Sequence, residues 1–176
     1  RRKMIKDFLE SKLEKFPEHL MGAVGDKVDI LNFKFDKIEY LYENITSEIE
    51  SINRGEDDDD SLTKIYFNLE SFIVTARSVV DILMHAINIG MELELEGREV
   101  HLGSVYHHPK LNKQIKNILH DYSHNRNDAI WQFIYEVRNT VVHEKSINKT
   151  IPINLDFFTI EEMLFKITWQ GKNYEI

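Results

Sequence analysis

Residues 127–146, NDAIWQFIYEVRNTVVHEKS, contain the pattern that decides the fold of this chain. Their apolar residues recur at steps of three and four, the spacing that places side chains on one side of an α-helix. These residues are Ile130, Phe133, Ile134, Val137 and Val141. The stretch therefore predicts an amphipathic helix that buries this stripe in a helical core.

The polar residues of the same stretch fall on the other side of the predicted helix. At about 100° per residue, Asn139 and His143 lie roughly opposite the apolar stripe, and Arg138 lies on the flank beside them. Because Asn139 and His143 are four residues apart, one lies above the other. A guanidinium, an amide and an imidazole are thus grouped on a surface that faces water or a second subunit. A polar helix face without any catalytic role has the same pattern.

The run Arg138-Asn139-Thr140-Val141-Val142-His143 resembles the signature of the HEPN superfamily. Members of that family are all-α domains marked by an arginine, four to six residues and a histidine, usually with a polar residue directly after the arginine. The hydrophobic stretch from Asn68 to Asn88 is similar to the long helix that precedes this motif in HEPN domains. The resemblance covers about residues 26–146. It implies an RNA-cleaving homodimer that pairs its motifs across an interface, with Arg138, Asn139 and His143 as catalytic residues.

The same residue types suit cleavage of RNA by its own 2′-hydroxyl group. An imidazole can take the hydroxyl proton or donate a proton to the leaving 5′-oxygen. A guanidinium can hold a phosphate oxygen with two parallel donors while charge develops. This chemistry requires no metal and no other cofactor. One imidazole does not easily act as both base and acid, which favours a dimer that brings two copies of His143 together, and Glu144 is a candidate to tune His143.

One position departs from the family pattern. In HEPN toxins that are silenced by a nucleotidyltransferase partner, a tyrosine stands two residues after the histidine, and Lys145 occupies that position here. Control by adenylylation at this site is therefore unsupported. The resemblance still implies a toxin–antitoxin, defence or RNA-processing role, with an antitoxin or other regulatory protein as a partner. Two alternatives are a non-catalytic HEPN-like module that binds RNA, nucleotide or protein, and a helical dimerisation domain of a longer protein.

The composition limits the class of protein. With 176 residues, 42% hydrophobic and 30% charged, the chain is large enough to bury a core. Its net charge of -8 argues against a general nucleic-acid coating protein, because phosphate contacts need local positive charge. The absence of cysteine excludes disulfides and thiolate sites and agrees with a cytoplasmic protein. No apolar run approaches the roughly 20 residues that span a bilayer, so no membrane partner is expected.

The predicted fold is mainly α, a HEPN-like helical bundle in residues 26–146. Before it, Met4 to Phe16 form an N-terminal helix or arm within residues 1–25, which Pro17 ends. After it, residues 147–176 form a small β-hairpin or three-stranded sheet. Its predicted strands are Ile151 to Leu155, Leu164 to Trp169 and Tyr174 to Ile176, with a turn at residues 170–173 before the last.

Two long helices are predicted within the bundle. Gly22 and Gly25 predict a loose link before Asp26, which is a candidate N-cap for a helix that continues to Asn53. Its buried stripe comprises Ile30, Ile38, Leu41, Ile45, Ile49 and Ile52. Gly55 ends this helix, and Asp59, Asp60 and Ser61 are expected to cap a helix from Leu62 into the nineties. The stripe of that second helix comprises Ile65, Leu69, Phe72, Ile73, Ala76, Val80, Leu83 and Ile87.

Charged residues outside the motif give further candidates. Arg77 and Asp81 are either an i, i+4 ion pair or groups that orient the Arg138 site. The segment from His101 to Arg126 contains one acidic residue and four cationic residues, Lys110, Lys113, Lys116 and Arg126. A helix from Lys110 to Tyr122 would present them either as a phosphate-binding rim or as an ordinary solvated face. His120 and His124 have the spacing of helical metal ligands but need a third ligand such as His107, His108 or Asp121, and no metal site is predicted.

Overall fold

The computed structural model describes residues 17–56 and 60–124, together with Ile134, Arg138 and two short strands near the C-terminus. Within these residues the protein is mainly helical, which confirms the predicted class. The helices are α1 (Glu18–Asn53), α2 (Ser61–Gly90), α3 (Leu102–His107) and α4 (Lys113–His124), with a 3₁₀ turn at Gly97–Glu99 between α2 and α3. The strands are β1 (Lys166–Trp169) and β2 (Lys172–Glu175). The predicted helix Met4 to Phe16 and the predicted strand Ile151 to Leu155 lie outside the described residues.

Helix α1 starts earlier than the sequence predicted. It begins at Glu18 and continues through Gly22 and Gly25 without a break, so the predicted loose link and the start at Asp26 are wrong. The carbonyl of Pro17 accepts hydrogen bonds from the amides of Leu20 and Met21, at 2.9 and 3.2 Å. Proline is tolerated at a helix start because its missing N–H has no partner there anyway. Burial of apolar side chains along this first part of α1 offsets the conformational cost of the two glycines.

The buried face of α1 differs from the predicted stripe in its first half. Leu41, Ile45 and Ile49 are buried as predicted, but Ile30 is 40% exposed. Between residues 18 and 36 of α1, the buried residues are Val24, Val28 and Leu31. Val24, Val28 and Leu31 follow one another at steps of four and three, so they share one face of the helix. Ile30 lies about 100° round from Leu31 and therefore points away from that face.

Gly55 ends α1 through a Schellman motif. The amide of Glu56 donates to the carbonyl of Ser51 at 3.0 Å, and the amide of Gly55 donates to the carbonyl of Ile52 at 2.9 Å. Gly55 itself has φ +70, the left-handed conformation that this cap requires and that glycine adopts without a Cβ penalty. The Nε of Arg54 donates to Glu56 at 2.8 Å, and this hydrogen bond raises the pKa of the Arg54 guanidinium.

Helix α2 matches the prediction closely. The amide of Lys64 donates to the carbonyl of Asp60 at 2.9 Å, which places Asp60 at the N-cap position. Ile65 and Ile73 are buried as predicted, whereas Leu83 is 39% exposed and its neighbour Met84 is fully buried. Asp59 lies outside the described residues.

One helix in the described part of the chain, α2, is long and apolar enough to cross a membrane. The expectation of no membrane partner stays a prediction, because length and composition alone are weak evidence for a span. The core helix of a soluble protein satisfies the same criterion of length and composition.

The chain turns sharply where α2 ends. The amide of Leu93 donates to the carbonyl of Asn88 at 3.0 Å, and that of Glu92 donates to Ile89 at 3.1 Å, again the pattern of a Schellman motif. Here the left-handed residue is Glu92, with φ 48, and Glu94 follows with φ 62. The side chain of Asn88 then pairs with the backbone of Leu95, donating to its carbonyl at 3.0 Å and accepting from its amide at 3.1 Å.

The chain divides into two compact units, residues 1–36 with 78–125 and residues 37–77 with 126–176. The first unit has a core that follows the turn after α2 and includes residues from α2, α3 and α4. Its buried members are Met84, Leu93, Val100, Val105, Leu111 and Leu119. In the second unit Ile45, Ile49 and Ile65 form the buried cluster, and Ile52, Leu69 and Phe72 pack against it.

The strands β1 and β2 belong to the second unit and pair antiparallel. Lys166 lies opposite Glu175, and Trp169 lies opposite Lys172. Lys172 and Asn173, which the sequence placed in a turn, have extended backbone in this register. The connection between the strands is therefore shorter than predicted.

We predict that alanine has opposite effects on stability at the two glycines within α1 and at Gly55, which caps its end. Gly22→Ala and Gly25→Ala should each raise the free energy of unfolding by about 0.5–1 kcal/mol, because a Cβ at either position meets open space within a helix. Gly55→Ala should lower it by about 1–2 kcal/mol, because the left-handed backbone strains any residue with a Cβ. Urea unfolding followed by circular dichroism measures all three. Destabilisation by Gly22→Ala would contradict the observed start of α1.

The Asn88 side chain gives a second stability prediction. Asn88→Ala removes both hydrogen bonds to the half-buried Leu95 and should lower the free energy of unfolding by about 2 kcal/mol. The matched control is Asn117→Ala at an exposed position of α4, which should change stability by no more than about 0.5 kcal/mol. Equal effects of the two substitutions in thermal or urea unfolding would show that the Asn88 pairing contributes nothing.

Candidate functional site

The structure describes part of the predicted catalytic helix. Ile134 and Arg138, four residues apart, both have helical backbone and both are half-buried. The other predicted catalytic residues, Asn139 and His143, lie outside the described residues, and so does Glu144. Their catalytic and tuning roles therefore stay predictions.

The predicted supporting pair lies on α2. Arg77 and Asp81 are both half-buried and four residues apart in the same helix. This spacing allows a side-chain contact along one face. Both predicted roles, an ion pair between the two residues and orientation of the Arg138 site, stay predictions.

The predicted basic helix begins later than expected. Helix α4 starts at Lys113 because Asn112 caps it: the Asn112 Oδ1 accepts from the amide of Gln114 at 2.7 Å. Lys110 therefore lies outside the helix. Its Nζ donates to the Glu94 carboxylate at 3.1 Å and to the Glu92 carbonyl at 3.3 Å. The turn after α2 thus engages one of the four predicted RNA-binding cations, while Arg126 lies outside the described residues.

One remaining cation of α4, Lys116, belongs to a group of side chains around Tyr106, which we call the Tyr106 cluster (Tyr106, His107, Lys116 and His120). The Nζ of Lys116 lies 5.3 Å from the centroid of the Tyr106 ring. The His107 ring meets the Tyr106 ring edge-on with centroids 4.9 Å apart, and the His120 centroid lies 6.3 Å away. His107 and His120 are exposed, and Tyr106 and Lys116 are half-buried.

The sequence predicts no role for Tyr106, and it indicates His107 and His120 only as candidate metal ligands. The reason is that the contacts among these rings join α3 to α4 across a turn. The available signal was composition: from Val100 to His120 the chain has no aspartate or glutamate. A tyrosine within such a run, beside a histidine, indicates an aromatic and cationic surface.

His101 and Ser104 form a close pair that has a structural explanation. His101 is the N-cap of α3, and its Nδ1 accepts from the Ser104 amide at 3.4 Å. Its Nε2 lies 2.8 Å from the Ser104 hydroxyl oxygen. In the tautomer in which Nδ1 accepts from the amide, Nε2 carries the hydrogen and donates to the Ser104 hydroxyl oxygen. The contacts of this pair are therefore explained by capping of α3.

The described residues contain no cluster of metal-ligating side chains for the metal-site alternative. No group of three or more histidine, aspartate or glutamate side chains there is arranged to hold a metal ion. The side chain of His124, one of the two candidate ligands, is not among those described. The hypothesis of a site at His120 and His124 thus gains no third ligand.

Comparison of the chain with protein-family models, curated proteins and solved structures finds no match. The resemblance of the Arg138 motif to the HEPN signature therefore rests on the sequence alone and stays a prediction. Function has to be inferred from the residues of this chain.

Proposed function

We propose that the chain is a HEPN-like, metal-independent endoribonuclease that acts as a homodimer. The proposed architecture is a HEPN-like bundle with a small C-terminal β-hairpin, and the proposed setting is a cytoplasmic toxin–antitoxin, defence or RNA-processing system. The observation that carries the proposal is the Arg138, Asn139 and His143 spacing late in a mainly helical chain. The half-exposed position of Arg138 on helical backbone supports it.

In the proposed reaction the ribose 2′-oxygen attacks the adjacent phosphorus. One His143 imidazole takes the proton from the 2′-hydroxyl, and the other donates a proton to the 5′-oxygen as its bond to phosphorus breaks. The products are a 2′,3′-cyclic phosphate and a free 5′-hydroxyl. Arg138 donates to a non-bridging phosphate oxygen as charge increases. Asn139 positions His143 or binds the phosphate.

A second candidate function is RNA, nucleotide or protein binding without catalysis. The net charge of -8 favours the protein-binding form of this candidate, because an acidic protein repels a polyanion except at a local basic patch. The ion pair between Lys110 and Glu94 favours it further, since it reduces the positive charge available to RNA. In this case Arg138→Ala weakens binding and no variant changes the length of the RNA.

The nuclease proposal predicts RNA cleavage in the presence of a metal chelator. Arg138→Ala and His143→Ala should each lower the cleavage rate by about a hundredfold or more, because each removes a group that acts on the reacting phosphate. A substrate with deoxyribose at the cleaved positions should stay intact, since it lacks the attacking hydroxyl. The cyclic phosphate end is identified by mass spectrometry of the products.

The matched controls replace the same residue types elsewhere. Arg98→Ala in the 3₁₀ turn and His19→Ala on α1 change exposed residues and should leave the rate unchanged. Equal rates in all variants would contradict the proposal by pointing to a contaminating nuclease. RNA binding without cleavage at any protein concentration would overturn it in favour of the second candidate.

A further inference from the structure

We propose that the Tyr106 cluster binds a single-stranded segment of RNA. The inference deepens the proposed function and rests on it for the choice of RNA as ligand. It assigns the binding to a surface of the first unit that the Arg138 motif does not include. The ligand class is a flexible strand that offers both phosphates and unstacked bases.

The first support is the fixed position of the Tyr106 ring. Tyr106 packs against the buried core that contains Met84, Val105 and Leu119, and this packing fixes the position of its ring. Asn112 caps α4 and orients the helix that carries Lys116 and His120. A binding surface whose groups are held in advance loses less conformational entropy when the ligand binds.

The second support is the local charge. The run from Val100 to His120 contains no acid, although the chain has 30 aspartates and glutamates among its 176 residues. Lys113, Lys116 and His120 follow one another at steps of three and four, which places them on one face of α4. Lys113 and His120 are exposed, and Lys116 is half-buried between them and the buried Leu119. The cationic face of α4 thus runs from solvent at Lys113 to the Tyr106 ring at Lys116.

The third support distinguishes RNA from other polyanions. Single-stranded nucleic acid is bound by a combination of cations for the backbone and flat rings on which bases stack. The exposed rings of His107 and His120 flank the Tyr106 ring, and the Lys116 ammonium lies within the same group. A surface for acidic protein segments needs the cations but gains nothing from the rings.

The test measures binding of a fluorescently labelled single-stranded RNA by anisotropy. All variants are made in the full chain that also carries His143→Ala, so that cleavage does not remove the probe. The double substitution His107→Ala with His120→Ala should weaken binding about tenfold, the effect of losing stacking partners. Lys116→Gln should reduce the slope of log K against log salt by about 0.7, the value for one phosphate contact to a single strand.

Matched substitutions on α1 serve as controls. Lys34→Gln and His19→Ala remove the same groups from that helix and should leave affinity and salt slope unchanged. Tyr106 is retained because it packs against the core. Thermal unfolding checks each variant, and if Lys116→Gln melts early, Lys113→Gln at the exposed start of α4 removes one charge without the contact to Tyr106.

The outcomes separate this inference from the nuclease proposal. Cluster variants that bind RNA as tightly as their parent, or a parent that binds no RNA, would overturn the inference even if the wild-type chain cleaves RNA. Loss of binding in the cluster variants supports it, even if the wild-type chain proves to have no nuclease activity. Poly-glutamate should compete poorly, and equal competition would show a general polyanion surface instead of an RNA site.

Discussion

The pairing of the Asn88 side chain with the backbone of Leu95 is the constraint on which the first unit depends. It closes the turn after α2 with two hydrogen bonds, in a segment where Glu92 and Glu94 both have left-handed backbone. Such strain persists only where surrounding interactions fix the chain. The turn buries Leu93 beside Met84 and returns the chain so that α3 and α4 complete the same core. The positions of Lys110 and the Tyr106 cluster follow from this reversal.

The sequence predicted the parts of the fold that depend on regular spacing. Helix α2, its buried Ile65 and Ile73, and the left-handed end of α1 at Gly55 could all be predicted, because each depends on local pattern or on one backbone conformation. The start of α1 could not be predicted, since burial of residues such as Val24 outweighs the local weakness of Gly22 and Gly25. The Tyr106 cluster also escaped prediction, because its contacts depend on how the capped helix α4 packs against α3. Of the predicted catalytic residues, Arg138 alone lies among the described residues.

An acidic chain that acts on RNA has to concentrate its positive charge. In the described residues, Glu94 pairs with Lys110, while Lys113 and Lys116 lie in a run without acids, which is compatible with the proposed action on RNA. An exposed ion pair such as Lys110 with Glu94 contributes only about 0–1 kcal/mol to stability. Its main effect is on the local field, because it lowers the positive charge at the edge of the turn and leaves the solvent face of α4 as the cationic surface.

The central claim is that one active site uses Arg138 and His143 from two subunits, and mixing two inactive variants tests it most directly. Arg138→Ala and His143→Ala protein are combined under conditions in which subunits exchange, and RNA cleavage is measured in chelator. A shared site predicts a mixture that is more active than either variant alone, because each mixed dimer regains one arginine and one histidine in the same cleft. Its activity should stay well below that of the wild-type chain, because the cleft still lacks the second imidazole. A mixture no more active than the separate variants, with exchange verified by light scattering and mass-tagged subunits, would contradict the shared site.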